Sequence, residues 1–145
     1  MKIRQMQKED ARAVWEIECL SFPDPWSLAD IEKEACGQTP AFYLVCLEEE
    51  RVIGFAGFWK IMDEGHITNV AVHPDFRKKG AGDLLVAALL KEGKKQGIRA
   101  FTLEVRVSNQ GAIHLYEKHG FFQAGRRKQY YKTEDGLIMW AQAGE

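Results

Sequence analysis

The sequence has little cysteine, no long apolar run and no excess of charge of either sign. Its three cysteines, Cys19, Cys36 and Cys46, are odd in number and fit neither a disulfide framework nor metal-ligand spacing. The apolar run Leu84–Leu90 is far shorter than the roughly 18 residues that a membrane-spanning helix needs. Lysine and arginine number 20 against 21 aspartates and glutamates, so a general nucleic-acid-binding surface is not expected. These absences predict a cytoplasmic protein without a metal, a membrane anchor or a direct contact with nucleic acid.

The sequence does contain one strongly patterned stretch in the middle of the chain. Its first part, His66–Val72, is short, mostly apolar and rich in β-branched residues, as strands are. His73–Asp75 ends it, because proline cannot donate to a sheet ladder. Three cations and two glycines follow in Arg77–Gly82, and then comes the apolar run Leu84–Leu90. The stretch predicts a strand, a basic glycine loop and a helix over Gly82–Gln96.

The glycine loop has the features of an anion site. Gly80 and Gly82 allow the backbone to approach a ligand closely, and the cations of Arg77–Lys79 add positive charge. The first amides of the following helix have no intrahelical partner and lie at the positive end of its dipole. A phosphate or pyrophosphate is therefore the expected ligand. A Walker loop is excluded because no Lys-Ser/Thr pair follows Gly82, and a dinucleotide fingerprint is excluded because it lacks its third glycine.

The rest of the chain reads as strands and helices of a single domain over residues 1–145. Strands are predicted at Lys2–Met6, Ala41–Leu47, Val52–Met62, Ile98–Val107, Phe121–Tyr131 and Leu137–Gln142, the last two joined by a turn over Lys132–Gly136. Helices are predicted at Ala11–Cys19 with Asp10 as cap, from Ser27 to Cys36, and at Gln110–His119 between Asn109 and Gly120. This order indicates a mixed α/β sheet covered on both faces, with the two strands around the central helix parallel or nearly so.

The strand after the central helix carries a carboxylate among apolar residues. Alternation puts Glu104 on the same face as Arg106, so an ion pair between them is the simplest explanation. The C-terminal half of this strand should, however, lie near the reactive end of a ligand bound at the glycine loop. Glu104 is therefore also a candidate catalytic base. Both explanations stay open on the residues alone.

The next helix holds two further candidates. Tyr116 lies in a stripe with Ala112, Leu115 and His119 at helical spacing, and such an aromatic is normally a core residue. Asn109 is most simply the N-cap of the helix. The four histidines have no metal-like spacing with carboxylates or cysteines, so no metal site is predicted.

Arg77, Gly80 and Gly82 form the pattern R-x-x-G-x-G, which resembles the acetyl-CoA loop of the GNAT N-acetyltransferases. The resemblance extends over nearly the whole chain and is closest to the RimI branch of that family. It is carried by FPDPWS (22–27), GHITNVAVHPDFRKKGAG (65–82), LEVRVSNQGAIHLYEKHGF (103–121), RRKQYY (126–131) and LIM (137–139). It implies an α/β fold of the GNAT type, with a mixed, mostly antiparallel sheet of six to seven strands, a central near-parallel splayed pair, and about four helices on both faces.

The resemblance also implies roles for individual residues. Glu104 corresponds to the general base and Tyr116 to the general acid. Binding of the co-substrate acetyl-CoA is assigned to Val70, Ala71, Val72, Arg77, Lys78, Lys79, Gly80, Ala81, Gly82, Asp83 and Asn109. Asp83 would repel a phosphate, so its side chain must point away from it. The basic segment 126–128 could touch coenzyme phosphates or face water.

Members of the RimI branch acetylate the N-terminal alanine of a small-subunit ribosomal protein, so the resemblance implies a protein N-terminus as the acceptor. It also implies that Trp26, Tyr130 and Tyr131 flank the acceptor peptide, although each is equally well explained as a packed surface aromatic. Two alternatives stay open. The chain could be a GNAT enzyme for another amine, or an acyl-CoA-binding sensor without turnover. The sensor is disfavoured because it has no need of Glu104 and Tyr116.

Overall fold

The computed structural model describes residues 1–37, 39–131 and 134–143. The strands are β1 (Lys2–Gln5), β2 (Ala41–Glu48), β3 (Arg51–Ile61), β4 (Glu64–Val72), β5 (Ala100–Arg106), β6 (Phe122–Tyr131) and β7 (Glu134–Gln142). The helices are α1 (Ala11–Ser21), α2 (Leu28–Ala35), α3 (Ala81–Lys95) and α4 (Gln110–Lys118), with short 3-10 turns at Lys8–Asp10 and Pro74–Phe76. This order confirms the predicted succession of strands and helices.

The seven strands form one sheet in the order β1-β2-β3-β4-β5-β7-β6. All neighbouring pairs are antiparallel except β4 and β5, which run parallel. The parallel pairing extends only from Glu64 opposite Ala100 to His66 opposite Thr102. Beyond these residues β4 continues to pair with β3, and β5 with β7, so the two central strands separate. The expected α/β sheet of the GNAT type, with its splayed parallel pair, is confirmed.

The core lies on both faces of this sheet. One cluster packs α3 and α4 against it, with Leu85 fully buried, and the other packs α1 and α2, with Ile17 at 2% exposure. Because successive side chains of a strand point to opposite faces, one strand can contribute residues to both clusters. In β2, Leu44 and Cys46 point to the α3 side while Val45 points to the α1 side. The apolar run that starts α3 therefore forms a buried helix, as predicted.

One predicted helix cap was wrong. The Asp10 side chain does not cap α1. Its carboxylate accepts from Arg4 of β1 at 2.6 Å and from the Gln7 amide at 2.8 Å. Burial pushes the pKa of Asp10 upward, but these two donors outweigh it and hold the pKa below its ordinary value. Asp10 thus fastens β1 to the start of α1, which runs two residues further than predicted, to Ser21.

The predicted turn before the last strand was too long. Lys132 and Thr133 lie outside the described residues, but Glu134–Gly136 already belongs to β7. These residues are part of the strand because they lie between β5 and β6, where Gly136 pairs with Arg106 and with Arg127.

Candidate active site

The separation of β4 from β5 opens a cleft with two adjoining chambers, of about 490 and 450 Å³. The first, the loop chamber, is lined by Val70–Val72, Arg77, Lys78, Gly80–Asp83 and Asn109, among others. The second, the carboxylate chamber, is lined by Glu18, Trp26, Asn69, Glu104, Tyr116 and Tyr131, among others. Val70 and Asn109 line both, so the two chambers form one continuous cleft.

The N-terminus of α3 lies at the loop chamber without a side-chain cap from any described residue. Both α2 and α4 do have caps, since Ser27 and Asn109 accept hydrogen bonds from backbone amides at 3.1 and 3.2 Å. Gly80, the N-cap residue of α3, has φ +90°, a left-handed conformation that glycine adopts without steric cost. The first amides of α3 are thus left to a ligand or to water. Together with the positive end of the helix dipole, they suit an anion.

The three cations before α3 take different positions. Lys78 lines the loop chamber. Arg77 lines it too, but its Nε donates to the Val72 carbonyl at 2.9 Å and so is used within the fold. Lys79 is exposed, its ammonium lies 5.4 Å from the centre of the Phe76 ring, and it does not line the chamber. The other ten residues assigned to the coenzyme all lie on the chamber wall.

Asp83 lies in the first turn of α3, where an uncompensated acid would oppose an anionic ligand. Its two carboxylate oxygens are bonded to Lys118 Nζ and to His119 Nε2, each at 3.1 Å. These donors, in the last turn and at the C-cap of α4, lower the pKa of Asp83 below its ordinary value. The Asp83 carboxylate thus points towards the C-terminal end of α4. This agrees with the expectation that it points away from a bound phosphate.

The edge of β4 that faces the cleft presents backbone amides. The His73 amide donates to the Ile53 carbonyl of β3 at 2.7 Å. Because successive residues of a strand point their amides to opposite sides, Ala71 also faces β3. Val70 and Val72 therefore direct their amides into the cleft, where β5 has already separated from β4. These two amides are donors of the kind that binds a carbonyl or an oxyanion.

The partner of Glu104 differs from the one that alternation suggested. Arg106 pairs with Glu134 at 3.6 Å and lies over the Tyr131 ring at 4.3 Å, and it does not bind Glu104. Instead Arg127 Nε lies 3.3 Å from Glu104 Oε1. The predicted Glu104–Arg106 ion pair was therefore wrong. Arg127 lies on β6 opposite Gly136 of β7, which is paired in turn with Arg106 of β5.

The second carboxylate oxygen of Glu104, Oε2, is buried and has no hydrogen-bond partner among residues 1–37, 39–131 and 134–143. A buried acceptor without a donor costs roughly 1–3 kcal/mol, so such groups are rare unless a ligand or water completes them. Glu104 is thus held by one oxygen while the other has no partner among the described residues, and its side chain lines the carboxylate chamber.

Tyr116 and Asn109 keep their simple structural roles and also line the cleft. The Tyr116 ring packs on Phe121 with centroids 5.6 Å apart and is buried. Burial raises the pKa of the Tyr116 phenol, so it keeps its proton throughout the neutral range. Asn109 caps α4, as predicted, and lines both chambers. The core and cap explanations were correct, and neither removes these side chains from the cleft.

The structure separates the three aromatics assigned to the acceptor. Trp26 and Tyr131 line the carboxylate chamber, and the Tyr131 hydroxyl donates to the Glu104 carbonyl at 3.2 Å. Tyr130 is half exposed, stacks edge-on against Tyr131, and lies outside the chamber wall. The two rings lie on the same side of β6, because the strand is irregular between Arg127 and Tyr131 and Gln129 has a φ of +52°. Tyr130 packs over Gly136 of β7, and its contact with an acceptor stays a prediction.

Sequence reasoning missed two residues of the carboxylate chamber, Glu18 and Asn69. The Asn69 amide donates to Glu18 Oε1 at 2.5 Å, and Glu18 is 2% exposed. A signal was present, because Glu18 continues the buried stripe of Ala11 and Val14 at helical spacing. A carboxylate within the apolar stripe of a helix indicates a buried polar site.

Two further findings concern the residues that the structure describes. None of their helices is long and apolar enough to cross a bilayer. No group of three or more histidine, cysteine, aspartate or glutamate side chains among them is arranged to hold a metal ion.

Comparison with known proteins identifies the family. The model of the acetyltransferase (GNAT) family matches residues 10–121. The chain is 38% identical over 136 residues to the ribosomal protein bS18-alanine N-acetyltransferase of Salmonella typhimurium (strain LT2), covering 90% of this chain and 89% of that protein.

Solved structures agree. The crystal structure of the ribosomal-protein-S18-alanine N-acetyltransferase from Escherichia coli has a TM-score of 0.87 and 32% identity, covering 99% of this chain and 94% of that one. The structure of Salmonella typhimurium yncA with its cofactor acetyl-CoA has a TM-score of 0.84 and 25% identity, covering 99% and 94%. The chain belongs to the GNAT family of acetyltransferases.

Proposed function

We propose that this protein transfers the acetyl group of acetyl-CoA to the N-terminal α-amine of a protein, with the alanine-leading N-terminus of ribosomal protein bS18 as its acceptor. Relatives that align over about nine-tenths of both chains carry that activity in their names. The observation that carries the proposal is the buried Glu104 Oε2. It has no donor within the described residues, and the Glu104 side chain lines the chamber that adjoins the anion site.

The residues of the loop chamber fit acetyl-CoA. Its pyrophosphate matches the uncapped N-terminus of α3, where Gly80 and Gly82 keep side chains out of the way. Lys78 adds charge at the same end, and Asp83 is compensated by α4. The cleft-facing amides of Val70 and Val72 lie between this end and the carboxylate chamber, where they can hold the extended arm of the coenzyme.

Acetyl-CoA, when bound, supplies an acetyl thioester. Glu104 then takes the proton of the attacking amine, directly or through water, and its Oε2 is the free acceptor for it. Tyr116, kept protonated by burial, donates to the departing thiolate. One of the cleft-facing amides of Val70 and Val72, which lie about 7 Å apart along the strand, stabilises the negative charge that develops on the carbonyl oxygen, and the other is left for the arm of the coenzyme. Each role falls on a residue that lines the cleft.

The ionisation of the acceptor favours an α-amine over lysine. A peptide α-amine has a pKa of about 7.7–8.0, against about 10.4 for lysine. Near neutral pH roughly a fifth of α-amines are uncharged but only about a thousandth of lysines, a difference of about 3.5 kcal/mol. A single carboxylate suffices to take the last proton from an α-amine, whereas lysine demands more help.

The direct test is an acetylation assay with purified protein and acetyl-CoA. The acceptors are a peptide with the alanine-leading bS18 N-terminus, its serine-leading variant, the same peptide blocked at its N-terminus, and a polyamine. We expect mass spectrometry to locate the acetyl group on the alanine α-amine and to find none on the blocked peptide. Faster acetylation of the polyamine or of lysine would contradict the proposal. No uptake of acetyl-CoA in calorimetry would remove its basis altogether.

A further inference from the structure

Glu18 is a charged side chain at a position where charge is costly. It lies on the buried face of α1, 2% exposed, yet it reaches the wall of the carboxylate chamber. Burying a carboxylate costs free energy unless hydrogen bonds compensate for the lost water. The reaction steps assigned to Glu104 and Tyr116 make no use of it.

The Glu18 carboxylate joins three separate parts of the chain. The side-chain amide of Asn69, on β4, donates to Oε1 at 2.5 Å. The backbone amide of Trp26 lies near the same carboxylate and opposes the rise in the pKa of Glu18 that burial causes. Trp26 belongs to the segment Phe22–Ser27 between α1 and α2, which carries two prolines and is tied to the sheet here. Glu18, Asn69 and the Trp26 amide thus form a clamp within the chamber that also holds Glu104.

We propose that Glu18 is a positioning residue for the acceptor: it holds Trp26 and Asn69 in place, so that the N-terminal residue of the acceptor is presented to Glu104. This inference rests on the proposed function. The clamp is strongest with the ionised carboxylate, because protonation turns one oxygen into a hydroxyl donor and removes the charge that strengthens hydrogen bonds from amides. Loosening it should weaken binding of the acceptor and leave binding of acetyl-CoA at the loop chamber unchanged.

The clamp should respond to pH in the physiological range. Burial raises the pKa of Glu18 to about 7, and the Trp26 amide opposes the shift. The clamp is therefore complete above about pH 7 and weakens below it. Other titratable or charged groups face the same space: Glu34 and Tyr43 in an internal cavity beside Glu18, and Asp24, Glu104, Arg106 and Glu134 around the chamber. A comparison that changes only Glu18 cancels their contributions.

The test compares wild-type protein with Glu18→Gln in steady-state assays with acetyl-CoA and the alanine-leading peptide. Glutamine keeps the shape of the side chain but offers one oxygen and does not ionise. We expect the KM for the peptide to rise about tenfold at high pH, as the loss of a charged hydrogen bond predicts, and to converge with wild type near pH 6. The KM for acetyl-CoA should stay unchanged. Protonation of the acceptor amine affects both proteins equally, so the ratio of their KM values isolates Glu18.

Two further variants test whether an effect of Glu18→Gln on the peptide KM is specific to the clamp. Glu16→Gln is the matched control, because Glu16 lies on the exposed face of the same helix, 3.9 Å from Arg12, and its loss should leave the peptide KM unchanged. Asn69→Ala removes the donor on β4 while leaving Glu18 in place, and it should raise the peptide KM in the same direction. It also keeps the inference testable if Glu18→Gln does not fold.

The outcomes are distinguishable. An unchanged peptide KM in both Glu18→Gln and Asn69→Ala would overturn the role given to Glu18, and so would a rise that is the same at low and high pH. Wild-type protein that binds acetyl-CoA but acetylates no alanine-leading peptide would overturn the proposed function, and this inference with it.

Discussion

The two chambers of the cleft are built in different ways. Most of the loop chamber comes from one continuous stretch, Val70–Asp83, in which a strand, a glycine turn and a helix N-terminus follow each other directly. The carboxylate chamber takes its residues from α1 and the segment after it, from β4 and β5, from α4 and from β6 and β7. A binding site made of one local segment can be read from its order of residues, whereas one assembled from distant segments depends on how the sheet is closed.

The chambers also differ in charge. The loop chamber has Arg77 and Lys78 and the positive end of α3, while its one acid, Asp83, is bonded to α4. The carboxylate chamber is lined by four acids and one arginine: Glu18, Asp24, Glu104, Glu134 and Arg106. This contrast favours an anion at one end and an ammonium group at the other. It orients a phosphate-bearing carrier and an amine acceptor along the same cleft.

The largest effect is expected when Glu104 of the carboxylate chamber loses its charge. Glu104→Gln should lower kcat by about 100- to 1,000-fold, because a general base contributes about that much. Binding of acetyl-CoA, measured by calorimetry, should be retained, since it belongs to the other chamber. Glu117→Gln, on the exposed side of α4, is the matched control. Full activity with an unchanged pH profile would reduce Glu104 to the partner of Arg127.

Loss of the Tyr116 phenol should lower activity less than loss of the Glu104 carboxylate. Tyr116→Phe keeps the buried ring against Phe121 but removes the proton donor, and we expect kcat to fall about ten- to a hundredfold. The fall should exceed that in Tyr130→Phe, which changes a tyrosine outside the chamber wall. Equal activity of the two variants in the peptide assay would assign Tyr116 to packing alone.

The charge in the carboxylate chamber should be visible in stability as well as in activity. Burial raises the pKa of Glu18 from its ordinary 4.5 to about 7, so the folded state favours the neutral form. The stability that this contributes is full below pH 4.5 and is lost as pH rises through about 7. Relative to wild type, the free energy of unfolding of Glu18→Gln should therefore rise by about 2 kcal/mol between about pH 5.5 and pH 8. Urea denaturation at both pH values measures it, and a difference independent of pH would contradict the burial of an ionisable Glu18.

The loop chamber provides the mildest test, with a control at the opposite end of the same helix. Gly80 and Gly97 both have positive φ, +90° and +87°, and neither has a neighbour that an added Cβ would meet. Alanine at either position should cost about 1 kcal/mol of stability through backbone strain. Only Gly80→Ala should also weaken binding of acetyl-CoA, by about tenfold, because it disturbs the anion site. Equal affinities of the two variants in calorimetry would argue against a pyrophosphate at this turn.

Much of the fold was predictable because its signals are local. The cap at Ser27, the cap at Asn109 and the end of α4 at Gly120, which has φ +92°, each depend on residues within one turn. The bounds of the central strand and helix were predicted to within two residues for the same reason. The error at Asp10 arose because its carboxylate binds Arg4 of β1 and the Gln7 amide, which precede it, and not the amides of α1. The error at Glu134–Gly136 arose because this segment pairs with β5, which is distant in sequence.

The sequence by itself determined the loop chamber: a strand, a glycine turn and a helix N-terminus, in the order that makes an anion site. Only the tertiary structure decided the carboxylate chamber. Glu104 and Arg106 share a face of β5, yet β6 brings Arg127 to Glu104, and β7 brings Glu134 to Arg106. The physical reason is that hydrogen bonds along one segment are set by neighbours in sequence, whereas the partner of a buried charge is whichever side chain the closed sheet places within reach.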